Sequence, residues 1–150
     1  DGLRGIKGPM EQFGDAAARK SFAEFVALSP SAEGAAYLEA LERRSALVRA
    51  WNLFLEDWPL VLMPVSMEPP FEQGLDQQGL NATGRTLAAQ RPMLALALLG
   101  LPCLSVPTGI DNGVAMGVQI VGRGYREGTC LAAAEAIEAQ AGVRVPVDPR

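Results

Sequence analysis

The chain has 150 residues, of which 49% are hydrophobic and 20% charged, a composition that fits a single globular domain and gives no sign of disorder. Its 13 Lys and Arg residues are scattered among 17 Asp and Glu residues, for a net charge of −4, so the sequence predicts no basic face for nucleic acid. Histidine is absent and Cys103 and Cys130 have no CxxC spacing, which leaves a metal site without support.

The first third of the chain is predicted to be helical after a short linker. Residues 1–14 carry four glycines and Pro9, which indicates a Gly-rich loop or linker, and we assign residues 15–150 to one α/β domain. A helix over 15–28 is followed by Ser29 and Pro30, which are expected to cap and begin a second helix. Apolar residues at three- and four-residue steps predict that the second helix buries one stripe: Leu38, Leu41, Leu47, Val48, Trp51, Phe54, Leu55 and Trp58.

A strand and a long loop are predicted in the middle of the chain. Residues 60–63 are a continuous apolar run bounded by prolines, which predicts a strand covered on both faces. The segment 64–81 is rich in Pro, Gly and Gln, and loops of this length in a compact domain are often functional. A helix is expected over 86–99, delayed or kinked by Pro92 and capped by Gly100.

The last third of the chain is predicted to contain a hairpin and a final helix. Two short strands, over 103–106 and 118–121, are expected to pair through turn chemistry at Asp111-Asn112-Gly113. An alanine-rich helix over 127–141 should end at Gly142. The whole order of elements predicts an α/β fold, with a mixed β-sheet flanked by helices.

The residues that could act as catalysts do not form a recognisable set. No serine lies in a GxSxG segment, and Ser105, in the middle of a predicted strand, is best explained as a small buried residue. Lys7 lies in a Gly-rich stretch that favours a solvated side chain, and Glu56 and Asp57 are adjacent on a helix and diverge in direction. From the residues alone we therefore expect an α/β domain without a self-contained active site.

Membrane contact and oxidising conditions are not expected. No apolar run reaches the ~20 residues of a membrane-spanning helix. Two buried thiols, Cys103 and Cys130, are favoured over a disulfide, which points to a cytoplasmic location. The chain opens with DGLRGIKGPM, without an initiator methionine, which is consistent with a missing upstream segment.

Two segments near the C-terminus, GLPCLSVPTG over 100–109 and MGVQIVGRGYREGTCLAAAEAIEA over 116–139, resemble the C-terminal region of amidase signature family enzymes. The upstream WNLFLEDWPLVLMPVSMEPPF and the closing VPVDP also resemble parts of that family, so the resemblance covers about residues 38–148. The positions that match the family pattern are expected to be structural: Gly100, Pro102, Pro107, Gly109, Gly117, Gln119 and Gly122.

The resemblance implies part of a large mixed sheet and a parent enzyme that hydrolyses small amides. In this family a Ser–cis-Ser–Lys triad does the chemistry without a metal or an organic cofactor. The triad belongs to a Gly/Ser-rich segment N-terminal to the region that matches here, so no catalytic residue is assigned in this chain. The resemblance thus implies a C-terminal fragment that is inactive alone; the alternative is a stand-alone binding or assembly module derived from the same fold.

Two further expectations concern surfaces. Met67 and Phe71 lie in the Pro-rich loop, and the stiff backbone with apolar side chains suits one wall of a substrate pocket; the alternative is that both side chains cover the helix beneath. The strands would also lose part of their cover if the remainder of the sheet is absent. Uncovered strand edges and apolar faces predict self-association of the fragment, most simply as a two-fold dimer.

Overall fold

The structure is a computed structural model, which describes residues 5–142; the closing VPVDP segment lies outside the described residues. The α/β class is confirmed. The elements follow one another in the order α1 (Lys7–Phe13), α2 (Ala16–Leu28), α3 (Gly34–Asp57), β1 (Leu60–Pro64), a 3-10 turn (Leu75–Gln77), α4 (Leu80–Ala89), α5 (Arg91–Leu99), β2 (Cys103–Asp111), β3 (Val114–Gly122) and α6 (Glu127–Ala141).

The three strands form one sheet in the order β1-β3-β2. The predicted hairpin is confirmed, with Asp111 paired to Val114 across a two-residue loop. Asn112 and Gly113 have φ angles of 48° and 80°, and a tight turn of this kind requires positive φ at both central residues. Both pairs of neighbouring strands are antiparallel, so the parallel pairing that a mixed sheet requires is not found within residues 5–142.

Helices cover both faces of the sheet. Successive residues of a strand point to opposite faces, so one strand can contribute to the core on each side. On one face the buried core comes from α3, α5, β3 and the residue after Gly100: Leu55, Leu96, Leu99, Leu101 and Val121. On the other face α6 packs on the hairpin through Cys130, Ala134, Val106 and Ile120. The central strand β3 thus contributes Val121 to one core and its neighbour Ile120 to the other.

The N-terminal helices differ in part from the prediction. Residues Lys7–Phe13 are helical, although the glycines predicted a loop over 1–14; Pro9 lies in the first turn, where its missing N–H is harmless. The helix over 15–28 is confirmed, and Asp15 Oδ1 caps it by accepting the Ala18 N–H at 2.7 Å. Ser29 does not cap the next helix. It ends α2, because a residue before proline is held out of the helical region. The next helix, α3, begins only at Gly34.

The predicted helix over 86–99 is two helices. The first begins earlier than expected, at Leu80, and ends at Ala89, while Pro92 lies in the first turn of the second. The predicted C-cap is confirmed, since Gly100 has a φ of 68° and donates its N–H to the Leu96 carbonyl at 2.9 Å.

Burial is less complete than the apolar pattern predicts. Only Leu55 is buried in α3, whereas Leu38 is 61% and Trp58 64% exposed. The expectation that β1 is covered on both faces is wrong, since Leu62 is 62% exposed. Of the two thiols, Cys130 is buried as predicted, but Cys103 is exposed; both are free. Part of the apolar pattern therefore lies on the surface of residues 5–142.

Candidate functional site

A pocket lies between the loop that follows β1 and the β2–β3 hairpin. It encloses about 640 Å³, a volume typical of small-molecule sites. Both residues predicted to form a pocket wall, Met67 and Phe71, line it; Met67 is 65% exposed and Phe71 is half-buried. The opposite wall comes from the hairpin, and the lining includes Ser105, Pro107 and Gly117. The pocket is therefore a largely apolar concavity built from two elements that are distant in sequence.

The loop that carries Met67 is held in place by polar contacts with α4. The Met67 N–H donates to the Ala89 carbonyl at 2.8 Å. The Glu68 carboxylate accepts from Arg85 Nε at 2.8 Å and from Nη2 at 2.6 Å through one oxygen, Oε2. The hydrogen bond to Glu68 and the charge of its carboxylate raise the pKa of the Arg85 guanidinium, so this cation stays protonated. These bonds fix the start of the pocket wall, and no sequence motif predicted them.

The hairpin wall depends on a close approach between its strands. Gly117 lies opposite Pro107, and a Cβ at Gly117 would come within 2.9 Å of the Val106 carbonyl oxygen. The register shifts between Pro107 and Gly109, which marks a β-bulge next to the pocket. Ser105 is exposed on the edge strand, so the expectation that it is a buried residue is wrong.

Gln119 lies on β3, the central strand of the sheet. It is 4% exposed and is paired with Met63 on β1 and with Ser105 on β2. Its Nε2 has no hydrogen-bond partner among the described residues. The sequence predicted only a structural role for Gln119. The signal that could have singled it out is a glutamine within the apolar run Val118–Val121 of a central strand, where a polar side chain needs a partner.

The remaining motif residues lie at the other end of the hairpin, away from the pocket. The Gly122 N–H donates to the Pro102 carbonyl at 3.0 Å, while Gly100 caps α5. A Cβ at Gly122 would come within 2.5 Å of the Cys130 Sγ, so glycine allows α6 to pack directly on the sheet. The seven matching positions thus divide between the pocket wall, the packing of helices and the central Gln119.

The described residues contain no serine hydroxyl that is hydrogen-bonded to a lysine. Ser21 Oγ donates to Asp76 Oδ2 at 2.7 Å, and Lys20 Nζ donates to the Gln77 carbonyl at 2.7 Å. Both bonds tie α2 to the 3-10 turn. Across residues 5–142, no cluster of His, Cys, Asp and Glu is suited to a metal ion, and no helix is long and apolar enough to cross a bilayer.

The chain matches the Amidase family over residues 9–131, and it belongs to this family. The match begins well before residue 38, where the resemblance was expected to start. Indoleacetamide hydrolase from Bradyrhizobium japonicum is 36% identical over 109 residues, which are 72% of this chain and 23% of the relative. A glutamyl-tRNA(Gln) amidotransferase subunit from Lysinibacillus sphaericus is 29% identical over 126 residues, 84% of this chain and 25% of the relative.

A solved structure agrees with these relatives. The crystal structure of a glutamyl-tRNA(Gln) amidotransferase subunit from Thermotoga maritima superimposes with a TM-score of 0.59 at 27% identity, over 73% of this chain and 23% of that chain. The fold is therefore part of an amidase-type fold. The chain spans about a quarter of the length of the relatives that it matches.

Proposed function

We propose that this chain is the C-terminal part of an amidase-family hydrolase, in which it supplies one wall of the substrate pocket. The observation that carries the proposal is the apolar pocket between the Met67 loop and the hairpin, in a chain that belongs to the Amidase family. The described residues offer no serine–lysine pair, which supports an origin of the catalytic groups in another part of the parent protein. The isolated chain would then be inactive.

The proposed reaction is the hydrolysis of a carboxylic amide. In the parent enzyme a serine attacks the amide carbonyl, a second serine passes its proton towards a lysine, and the leaving group departs as ammonia or an amine. Water then hydrolyses the acyl-enzyme and releases the carboxylic acid. The apolar lining by Met67 and Phe71 favours a small amide with an apolar acyl part. One relative is named for a substrate of this kind, indoleacetamide.

The coding sequence upstream of Asp1 provides the direct test. The proposal predicts a lysine codon followed by a segment that encodes a Ser-Gly-Gly-Ser-Ser-like sequence. A start codon a few residues upstream, without that segment, would contradict the proposal and support a stand-alone binding or assembly module.

The role of the pocket wall can be tested in the product of the complete reading frame. Met67→Ala and Phe71→Ala should change the relative kcat/KM for amides with small and large acyl groups, because both truncations enlarge the pocket. Leu80→Ala, at a half-exposed position outside the lining, serves as the matched control. Unchanged preferences in both pocket variants, with normal thermal stability, would leave these residues only a packing role.

The isolated chain is also proposed to self-associate. The apolar residues on α3 and at its C-cap that the described structure leaves uncovered include Leu38, Leu41, Leu47, Phe54 and Trp58. A second copy can cover such a surface symmetrically. We place the protein in the cytoplasm, where the free thiols of Cys103 and Cys130 would remain reduced.

A further inference from the structure

A second cavity lies at the end of the hairpin away from the pocket. It encloses about 760 Å³, a volume typical of small-molecule sites. Its walls come from α3, from residues 99–102 at the end of α5, and from residues 123–127, which join β3 to α6. We call it the arginine cavity, after three of its lining residues: Arg44, Arg123 and Arg126. No described residue lines both this cavity and the pocket of Met67 and Phe71.

The positive charges of the arginine cavity are only partly neutralised. Arg123 Nη2 pairs with Glu56 Oε1 at 2.8 Å, and both side chains are about half exposed. Arg44 and Arg126 form no ion pair with a carboxylate among residues 5–142. Among the described lining residues the one carboxylate is Glu127, which lies in the first turn of α6, where a negative charge stabilises a helix. The cavity therefore has an excess of positive charge, in a chain whose net charge is −4.

Arg44 is held at the cavity wall by a backbone contact. Its Nε donates to the Leu98 carbonyl at 2.6 Å, which satisfies one of the free carbonyls at the end of α5. A Cβ at Gly100 would lie 3.7 Å from Arg44 Nη2, so the guanidinium lies beside a glycine that also lines the cavity. A guanidinium has five N–H donors in a planar fork, and the contact with Leu98 occupies one of them. The terminal nitrogens of Arg44 can therefore bind a further group.

The lining selects a class of ligand. Guanidinium groups favour oxyanions, because two parallel N–H donors match two oxygens of a carboxylate or a phosphate. Asn52 and Tyr125 also line the cavity, and an amide and a phenol can bond to neutral hydroxyl groups. A cavity of this volume accommodates an organic molecule rather than a bare ion.

We propose that the arginine cavity binds a small polar organic anion through its carboxylate or phosphate group. Arg44 and Arg126 hold the oxyanion, and Asn52 and Tyr125 contact the neutral part of the molecule. The inference does not depend on amide hydrolysis. It adds a second ligand site to the chain, at the opposite end of the hairpin from the Met67 loop.

The experiment uses the 150-residue chain, labelled with ¹⁵N, and three probes that differ in one group: glycerol 3-phosphate, glycerate and glycerol. Titrations are made at constant ionic strength, because salt screens exposed charges. The backbone signals of Gly100, Gly124 and Tyr125 should shift to saturation with at least one of the two anions and should not shift with glycerol. The signals of Met67 and Phe71, which line the other pocket, should stay in place. The anion with the lower Kd shows whether the site is built for phosphate or for carboxylate.

Four variants separate specific recognition from general charge. Arg126→Gln, at an exposed position, should weaken anion binding about tenfold, the loss expected for one charge-assisted hydrogen bond. Arg44→Lys keeps the charge but loses the planar fork, so it should also weaken binding. Glu127→Gln should strengthen binding several-fold, because it removes a negative charge from the lining. Arg49→Gln removes the same charge as the first variant from an exposed position on α3 outside the lining, and it should leave the Kd unchanged.

Two results would overturn the inference: cavity signals that shift with neither anion, or equal affinities of Arg126→Gln and Arg49→Gln for the anion that binds. Either result leaves the proposed amidase role in place, because the two cavities share no described residue. Conversely, anion binding that depends on Arg126, in a protein without an upstream serine–lysine segment, would retain this site and exclude the hydrolase.

Discussion

At the scale of single residues, Gly122 determines how closely α6 approaches the sheet. Its missing side chain leaves room for the Cys130 Sγ, which a Cβ at position 122 would meet at 2.5 Å. Cys130 is itself buried among the residues of one core, together with Ile120. The backbone of the strand cannot move away easily, because the Gly122 N–H is bonded to the Pro102 carbonyl. Glycine at this position is therefore a requirement of packing.

Gly122→Ala should destabilise the chain by about 1–3 kcal/mol, the usual cost of inserting a methyl group into a filled interior. Chemical denaturation, followed by circular dichroism, measures the change. Gly128→Ala, on the helix α6, is the matched control, because nothing lies within 4 Å of a Cβ there. It should be neutral or should stabilise by about 0.5–1 kcal/mol through helix propensity. Equal stability of the two variants would show that α6 does not pack as described.

The two thiols should differ in reactivity. Burial raises the pKa of the Cys130 thiol, and Cys103 and Glu127 add to the shift as negative neighbours. Since only the thiolate reacts, iodoacetamide at pH 8 should modify Cys103 first and Cys130 only on unfolding. Mass spectrometry of Cys103→Ser and Cys130→Ser variants checks this order. Rapid modification of native Cys103→Ser would contradict the burial of Cys130.

The raised pKa of the Cys130 thiol also makes the stability of the chain depend on pH. A thiol with a raised pKa in the folded state contributes stability that is present below the pKa of the unfolded thiol, about 8.5, and is lost as pH rises above it. The free energy of unfolding should therefore fall less steeply between pH 8 and 10 in Cys130→Ala than in the unmodified chain. Parallel pH profiles would contradict this prediction.

At the scale of elements, the Met67 loop is ordered by its contacts with α4. The ion pair of Arg85 with Glu68 is partly exposed, so it adds little to global stability. Its effect is local, because it adjoins the hydrogen bond from the Met67 N–H to Ala89. We therefore expect the pair to restrain the pocket wall locally.

Arg85→Met should leave the melting temperature nearly unchanged and accelerate hydrogen exchange of the Met67 amide several-fold. Nuclear magnetic resonance resolves this single amide. Arg43→Met, which breaks an exposed ion pair with Glu39 on α3, is the control and should leave Met67 exchange unaltered. An exchange rate equal to that of the control would mean that the loop does not depend on Arg85.

Elements with strong local signals were predictable from the sequence. The helix over 15–28, the Asn112-Gly113 turn and the limits of α6 all follow from the chemistry of a few consecutive residues. Burial was less predictable. Leu62 and Ser105 are exposed, because the burial of a side chain depends on which elements pack against it in the folded chain. Met67 and Phe71 were chosen from loop composition and do line a concavity, but their role in binding substrate stays a prediction. The contact of Arg85 with Glu68 joins separate elements and has no local signal.

At the scale of the whole molecule, the 24-residue helix α3 is poorly covered, since Leu55 is its one buried residue. Its apolar stripe was predicted as core, yet Leu38 and Trp58 remain more than half exposed. Patches of this kind drive association, because burying apolar surface contributes ~25 cal/mol per Å² before the entropy of association is subtracted. The relatives are about four times longer than the matched region.

The isolated chain should form dimers or larger species whose proportion rises with concentration in light scattering. Replacing Leu38 and Leu41 by lysine should shift the chain towards monomer, because both side chains lie on the exposed part of α3. The control places lysine at the exposed Ala136 and Ala139 of α6, which adds the same charge elsewhere. This variant should not shift towards monomer. A monodisperse monomer at every concentration, without binding of an apolar dye, would contradict self-association.

The central claim is that this chain forms a wall of an amidase site without the catalytic groups. The most direct measurement is ammonia release from a panel of aliphatic and aromatic primary amides, by the 150-residue chain and by the product of the complete reading frame. We expect turnover by the complete product and none by the isolated chain above a heat-inactivated control. Turnover by the repurified isolated chain, or a complete product that hydrolyses no amide in the panel, would contradict this claim.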